Sequence, residues 1–187
     1  MQITSIRQQF IADHSSTNYF FYAAKALSGA AQSYVDTLSS HVEVGDQTAE
    51  ITYHGDFVDL GDARRKKFLE HYDVEVRESY DWWTLSVMLE PEKLADIKFD
   101  DYECEGESSL TLEKQGKRIC LRFDGWHQSS GADMEELAKL GLKLRAEVYA
   151  GKADALEVMR HYCAEGAILK DRKSPVAKKL ASILDVI

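Results

Sequence analysis

The sequence has few cysteines and prolines and no long apolar run. Its 187 residues include three cysteines and two prolines. The odd cysteine count and the absence of a Cys-x-x-Cys spacing argue against a disulfide framework. No segment approaches the roughly 20 apolar residues of a membrane-spanning helix, and residues 1–7 lack the pattern that opens a signal peptide. We therefore expect a soluble, cytoplasmic protein that does not bind a membrane.

Standard catalytic motifs are also missing. The sequence has no Gly-x-Ser-x-Gly elbow, no Walker loop, no Gly-x-Gly-x-x-Gly and no His-Glu-x-x-His. A catalytic site assembled from dispersed His, Asp and Cys residues stays open, because folds bring distant segments together. The motifs alone favour a protein that is not an enzyme.

The charge is acidic and unevenly distributed. The formal net charge is -9, which disfavours general nucleic-acid binding because phosphate contacts need clustered basic side chains. Residues 1–128 carry 13 basic and 23 acidic side chains, whereas residues 129–187 carry 10 and 9. No linker rich in serine or glycine marks this change, so we expect one domain over residues 1–187 with a C-terminal helical subdomain from residue 129.

Hydrophobic periodicity predicts an α+β fold with a mainly antiparallel sheet. The sheet is expected to have about five to six strands in the centre of the chain, between N-terminal helices and the C-terminal helical subdomain. Helices are predicted at about 3–13, 18–27, 30–39, 63–72, 132–149, 153–165 and 175–186. Strands are predicted at 42–44, 49–53, 74–77, 83–89, 110–113 and 117–123. The aromatic run within 18–27 is also compatible with a strand, but the alanines that follow it favour a helix.

One short segment concentrates possible metal ligands. His54, Asp56, Asp59 and Asp62 fall within nine residues, between a predicted strand and a predicted helix. Imidazole and carboxylate groups suit a divalent metal ion, so one alternative is a metal-assisted hydrolase or an enzyme with a phosphate-containing ligand. We favour a turn followed by a helix in which Asp62 is the N-cap, and then no cofactor is required.

A run of four basic residues follows this segment. It consists of Arg64, Arg65, Lys66 and Lys67. The prediction places the run in the first turns of a helix, where positive charge opposes the macrodipole, so an anion-binding patch is one hypothesis. A solvated helix face is the interpretation we favour.

Aromatic residues stand near two loop ends. If Trp83 faces the core, strand alternation turns Trp82 to the opposite face, where it is a candidate anchor for a ligand or a protein. Trp126 and His127 follow the second predicted hairpin and could line the same pocket. Farther along, Glu103, Glu105 and Glu107 form an acidic loop or a charged edge that prevents unwanted strand pairing.

The favoured function is a non-enzymatic acidic module that binds a protein partner, similar in composition to an inhibitor or an immunity protein with a basic target. Such binding is expected to weaken with salt. A homo-oligomer formed through the apolar stripes of the C-terminal helices is a further possibility.

Overall fold

The computed structural model describes residues 16–54, 59–79, 82–95, 97–126, 133–163 and 174–184, with only the backbone at Trp126. Seven strands form one sheet in the order β2-β3-β1-β4-β5-β7-β6, and all neighbouring strands are antiparallel. The strands are β1 (Ser16–Tyr22), β2 (Val42–Val44), β3 (Thr48–His54), β4 (Val74–Ser79), β5 (Trp82–Leu89), β6 (Ser109–Gln115) and β7 (Arg118–Trp126).

Five α-helices accompany the sheet within the described residues. They are α1 (Gly29–Asp36), α2 (Asp62–Phe68), α3 (Met134–Tyr149), α4 (Asp154–Cys163) and α5 (Pro175–Ile183). Ser174 caps α5, as its sequence pattern predicts, because its hydroxyl accepts a hydrogen bond from Ala177 N at 2.9 Å. None of these helices is long and apolar enough to cross a membrane.

The sheet has an apolar layer on each face. On one face, α3, α4 and α5 pack against side chains such as Val76, Leu85 and Leu121. On the other face, α1 and α2 cover the end formed by β3 and β1, where the rings of Phe68 and Phe21 stack at 4.6 Å. The second layer does not extend fully over β4, β5 and β7, and this leaves part of the sheet for polar side chains.

The α+β class and the antiparallel sheet are confirmed, and β2 with β3 and β6 with β7 form the two hairpins, but the prediction of a helix at 18–27 is wrong. That segment contains β1, which lies between β3 and β4 in the interior of the sheet. Both faces of β1 are covered, by α3 near Phe20 and by α2 near Phe21. A strand that is buried on both faces is a continuous apolar run without alternation, and a buried helix has the same pattern.

The flanks of the sheet differ from the prediction in detail. The sheet has seven strands instead of five or six, and no helix precedes β1 in the described part of the chain. The predicted helix at 3–13 lies outside the described residues. The apolar stripes of α4 and α5 face the core of this chain, with Leu156, Met159 and Leu180 almost fully buried. Oligomerisation through these helices stays a prediction. The apolar stripes do not support it, because they are already buried within this chain.

Candidate functional site

Polar side chains occupy one face of the central strands, beside α2. They are Thr17, Glu75, Arg77, Ser79, Thr84, Ser86, Arg122 and Asp124. The strand register places Thr17 opposite Ser79, Arg77 opposite Thr84, and Thr84 opposite Asp124, so these side chains share a face. Several are buried although they are polar, so their hydrogen-bond partners determine the character of the surface.

This polar face forms the floor of a groove of about 510 Å³. We call it the Trp82 groove. Besides residues of the polar face, its lining includes Asp59, Trp82, Gly106 and Glu107. The volume is within the usual range for ligand sites, roughly 300–1,000 Å³. The groove therefore has room for a small polar ligand or for a segment of another protein.

Arg77 and Asp59 form an ion pair at one end of the groove. Arg77 Nη2 donates to Asp59 Oδ2 at 2.9 Å, and the Tyr19 hydroxyl donates to Asp59 Oδ1. The guanidinium also lies 5.5 Å from the centre of the Tyr19 ring. Arg77 Nε is buried without a hydrogen-bond partner among the described residues. One donor at this end is therefore left unsatisfied, and such groups are uncommon in native structures.

Asp124 is the centre of a second network, at the other end of the groove. It accepts hydrogen bonds from Arg122 Nε at 2.8 Å, from Thr84 Oγ1 at 2.6 Å and from Ser109 Oγ at 3.3 Å. Burial alone would lower the pKa of Arg122, but the hydrogen bonds and the charge of Asp124 outweigh it and raise that pKa. Arg122 therefore stays charged and is held in place against Asp124.

A buried ion pair lies next to the groove, beneath α2. Arg65 Nε is 2.8 Å from each carboxylate oxygen of Glu75, and Arg65 Nη2 lies 3.4 Å from Ser86 Oγ. Arg65 is 5% exposed and Glu75 is 0% exposed. This pair attaches α2 to β4 and β5, and thereby positions the segment that carries Asp59.

The basic run is divided by this packing. Arg65 points into the protein, whereas Arg64, Lys66 and Lys67 are exposed. α2 has seven residues and its N-cap is Gly61, not Asp62, so three of the cations lie in its last turn. The predicted conflict with the macrodipole is therefore wrong, because positive charge is favourable at this end. The hypothesis of an anion-binding patch loses its main argument.

The predicted metal ligands have separate partners. His54 Nδ1 lies 3.2 Å from Ser16 Oγ, and Asp59 is held by Arg77 and Tyr19. The charges of Arg65 and Lys66 outweigh the effect of burial and lower the pKa of Asp62. No group of three or more His, Cys, Asp and Glu side chains that could hold a metal ion occurs in the described ranges. Asp56 lies outside them.

Trp82 and Trp83 point to opposite faces, as strand alternation predicts. Trp83 is 1% exposed, and the ideal Cβ position of Gly125 lies 2.5 Å from its Nε1, so no larger residue fits there. Trp82 is 40% exposed at the rim of the groove. The backbone register places Trp126 directly opposite Trp82, at the same end of the sheet. His127 lies outside the described residues.

The acidic segment reaches the groove at Glu107, whereas Asp100 and Glu103 line a separate pocket beside Lys114 and Lys117. Asp100, Asp101, Glu103, Glu105 and Glu107 are all exposed. Glu103 Oε1 accepts a hydrogen bond from Leu112 N at 2.9 Å, and Cys104 pairs with Leu110 as an isolated bridge. These contacts occupy backbone groups on the outer edge of β6, where an exposed strand could otherwise pair with another chain.

The comparisons with protein-family models, curated proteins and solved structures find no match. The interpretation of this site therefore depends on its geometry.

Most polar residues that line the groove were missed at the sequence level: Thr17, Arg77, Ser79, Thr84, Ser109, Arg122 and Asp124. A usable signal was present, because polar residues alternate with apolar ones in 74–77 and again in 121–124. Paired charges at a spacing of two, within strands in the interior of a sheet, indicate a polar sheet face.

Proposed function

We propose that this chain is a non-enzymatic binding module that holds a basic protein partner in the Trp82 groove. The observation that carries the proposal is the exposed indole of Trp82 at a groove whose lining includes the exposed carboxylate of Glu107. Tryptophan is strongly enriched among the residues that dominate binding energy at protein interfaces. A 40% exposed tryptophan at the edge of such a groove is a suitable anchor.

Charge supports a basic partner. The segment from Asp100 to Glu107 contains five exposed carboxylates and no basic residue, and Glu107 reaches the groove. The whole chain has a formal charge of -9. Such a surface attracts a positively charged protein and accelerates its association at low salt.

The interior of the groove favours recognition over catalysis. Asp59 and Asp124 each bind an arginine and a hydroxyl group, so neither is a free general base. The described lining contains no histidine, cysteine or lysine. The fixed pairs and the hydroxyls of Thr17, Ser79 and Ser109 instead offer donors and acceptors that could select polar groups on a partner.

The test compares two exposed aromatic residues. Trp82 is 40% exposed and Tyr34, on α1, is 41% exposed, so Tyr34→Ala is a matched control for Trp82→Ala. Full-length wild-type protein and both variants are immobilised and exposed to an extract of the source cells at low and high salt (about 50 and 500 mM). Captured proteins are quantified by mass spectrometry, and a single candidate is then purified for titration.

We expect the purified candidate to bind wild type and Tyr34→Ala equally. Trp82→Ala should weaken its binding about 30-fold, which corresponds to the ~2 kcal/mol typical of an interface hot spot. High salt should weaken the binding of the candidate to all three proteins. If every captured protein binds Trp82→Ala as well as Tyr34→Ala, the groove is not the binding surface.

A further inference from the structure

A pocket separate from the Trp82 groove lies at the turn that joins β6 to β7. It has a volume of about 520 Å³ and, among the residues that the structure describes, shares no lining residue with the groove. The loop that precedes β6 contributes Phe99, Asp100 and Glu103, and the hairpin contributes most of the rest. We call it the β6–β7 pocket. Its volume is within the usual range for small-ligand sites.

Part of this pocket is apolar. The strand register places Lys114 opposite Ile119, and Leu112 lies two residues from Lys114, so these three side chains share one face of the sheet. Phe99, Leu112 and Ile119 are partly buried and pack against the main core. The pocket therefore offers a fixed apolar surface to a hydrophobic group of a ligand.

Three cations line the pocket, and one of them already has an acidic partner. Arg118 Nη1 lies 3.3 Å from Asp73 Oδ1, and Arg118 Nη2 donates to the carbonyl of Leu69. Lys114 and Lys117 are exposed, and neither forms an ion pair with a described residue. Their ammonium groups can therefore donate hydrogen bonds to a bound carboxylate.

Two carboxylates line the same pocket without neutralising the two lysines. Glu103 Oε1 accepts a hydrogen bond from Leu112 N at 2.9 Å, which holds Glu103 beside β6. Asp100 is exposed in a short 3₁₀ turn. Within the described part of the chain, no ion pair joins either carboxylate to either lysine. A ligand with a single charge is thus attracted by one set of side chains and repelled by the other.

We propose that the β6–β7 pocket binds a free α-amino acid with a large apolar side chain. Such a ligand carries a carboxylate, an ammonium group and a hydrophobic group together. The carboxylate is complementary to Lys114 and Lys117, and the ammonium group is complementary to Asp100 and Glu103. The hydrophobic group would pack against the apolar part of the pocket. The proposal does not depend on a protein partner in the Trp82 groove.

The experiment titrates the isotope-labelled full chain with L-phenylalanine and follows the backbone amide signals by NMR. We expect saturable shifts at residues 99–103 and 112–119, with a Kd of about 1 mM or lower. Phenethylamine and 3-phenylpropanoate each lack one of the two charges and should bind at least about tenfold more weakly, because one set of side chains then has no partner. Glycine, which lacks the apolar group, should also bind weakly.

Variants of exposed residues test the two charged sides separately. Lys114→Gln combined with Lys117→Gln, and separately Asp100→Asn, should each weaken the binding of L-phenylalanine about tenfold and leave the fold intact. Lys143→Gln, on α3, changes another exposed lysine outside the pocket and should bind like wild type. The proposal is overturned if L-phenylalanine causes no saturable shifts or shifts only elsewhere. It is also overturned if 3-phenylpropanoate, or the double lysine variant, binds as tightly as L-phenylalanine binds wild type.

Discussion

At the residue scale, Arg65 shows how burial changes the role of a charged side chain. Its bonds to Glu75 and Ser86 lie beneath α2, in a place from which water is excluded. Two opposite charges compensate each other there, and removing either one would leave the other buried and unpaired. The pair thus holds α2 against the sheet and contributes nothing to an exposed anion patch.

The pH dependence of stability provides a prediction for Cys120. Its pKa rises from 9.0 to about 11 because burial disfavours the thiolate. Below about pH 9 the folded and unfolded states both keep the proton, and this contribution to stability is complete. Between about pH 9 and 11 only the unfolded state loses the proton of the Cys120 thiol, so the free energy of unfolding should fall by about 2–3 kcal/mol.

Urea unfolding of reduced wild type and Cys120→Ala over this pH range checks the prediction. The variant should be less stable at neutral pH because of the cavity, but its stability should fall less steeply above about pH 9. Parallel curves for the two proteins would show that Cys120 does not cause the alkaline loss.

At the element scale, the packing of α3 depends on a close approach to the sheet. Gly141 lies in the middle of α3, where a Cβ atom would be 2.8 Å from Val74 Cγ1 and 3.2 Å from Leu85 Cδ1. The helix can sit on β4 and β5 only because this side chain is missing. The glycine therefore has a packing role despite its poor helix propensity.

Gly141→Ala is expected to destabilise the protein. Alanine improves helix propensity by about 1 kcal/mol, but overpacking costs roughly 1–3 kcal/mol, and the stiff Val74 side chain cannot easily yield. We expect a net loss of about 1 kcal/mol in the free energy of unfolding, measured by urea titration.

Two controls separate the opposing effects. Gly29→Ala, where no atom lies within 4 Å of the added Cβ, should be neutral or stabilising. In a Val74→Ala background the contact is removed, so Gly141→Ala should then stabilise the protein. A loss of the same size in both backgrounds would exclude Val74 as the cause.

At the scale of the whole molecule, the sheet and the C-terminal helices are expected to unfold together. α3 packs against β1, β4 and β5, strands from the acidic part of the chain. Its core includes Leu137, Leu144 and Val148, all buried against the same cluster as Val76. The change of charge near residue 129 therefore does not coincide with a gap in the core.

A single transition is the measurable result. Tryptophan fluorescence reports on the sheet, where Trp83 is buried, and far-ultraviolet circular dichroism reports mainly on the helices. Coincident urea curves are expected for one cooperative unit. Loss of helical signal before the fluorescence change would divide the chain into two folding units.

Helices and strands with one exposed side could be predicted from the sequence, because their polar and apolar residues alternate in a regular pattern. The hairpins have alternating sides and marked turns, α3 ends just before Gly151, and α5 begins after Ser174, so the local pattern was informative. β1 was mispredicted because both of its faces are covered and its apolar run has no period. The groove was only partly anticipated: Trp82 and Asp59 were named, whereas Arg77, Arg122 and Asp124 were not.

The class of the fold, the acidic charge and the opposite orientations of Trp82 and Trp83 could be predicted from the sequence, because they depend on composition and on local periodicity. The burial of Arg65 and the paired charges on the floor of one groove became visible only in the folded chain. These features depend on contacts between segments that are far apart in the sequence, such as Arg65 with Glu75 and Thr84 with Asp124, which are 10 and 40 residues apart. Local patterns contain no information on such distances, since strand order and helix packing determine which side chains meet.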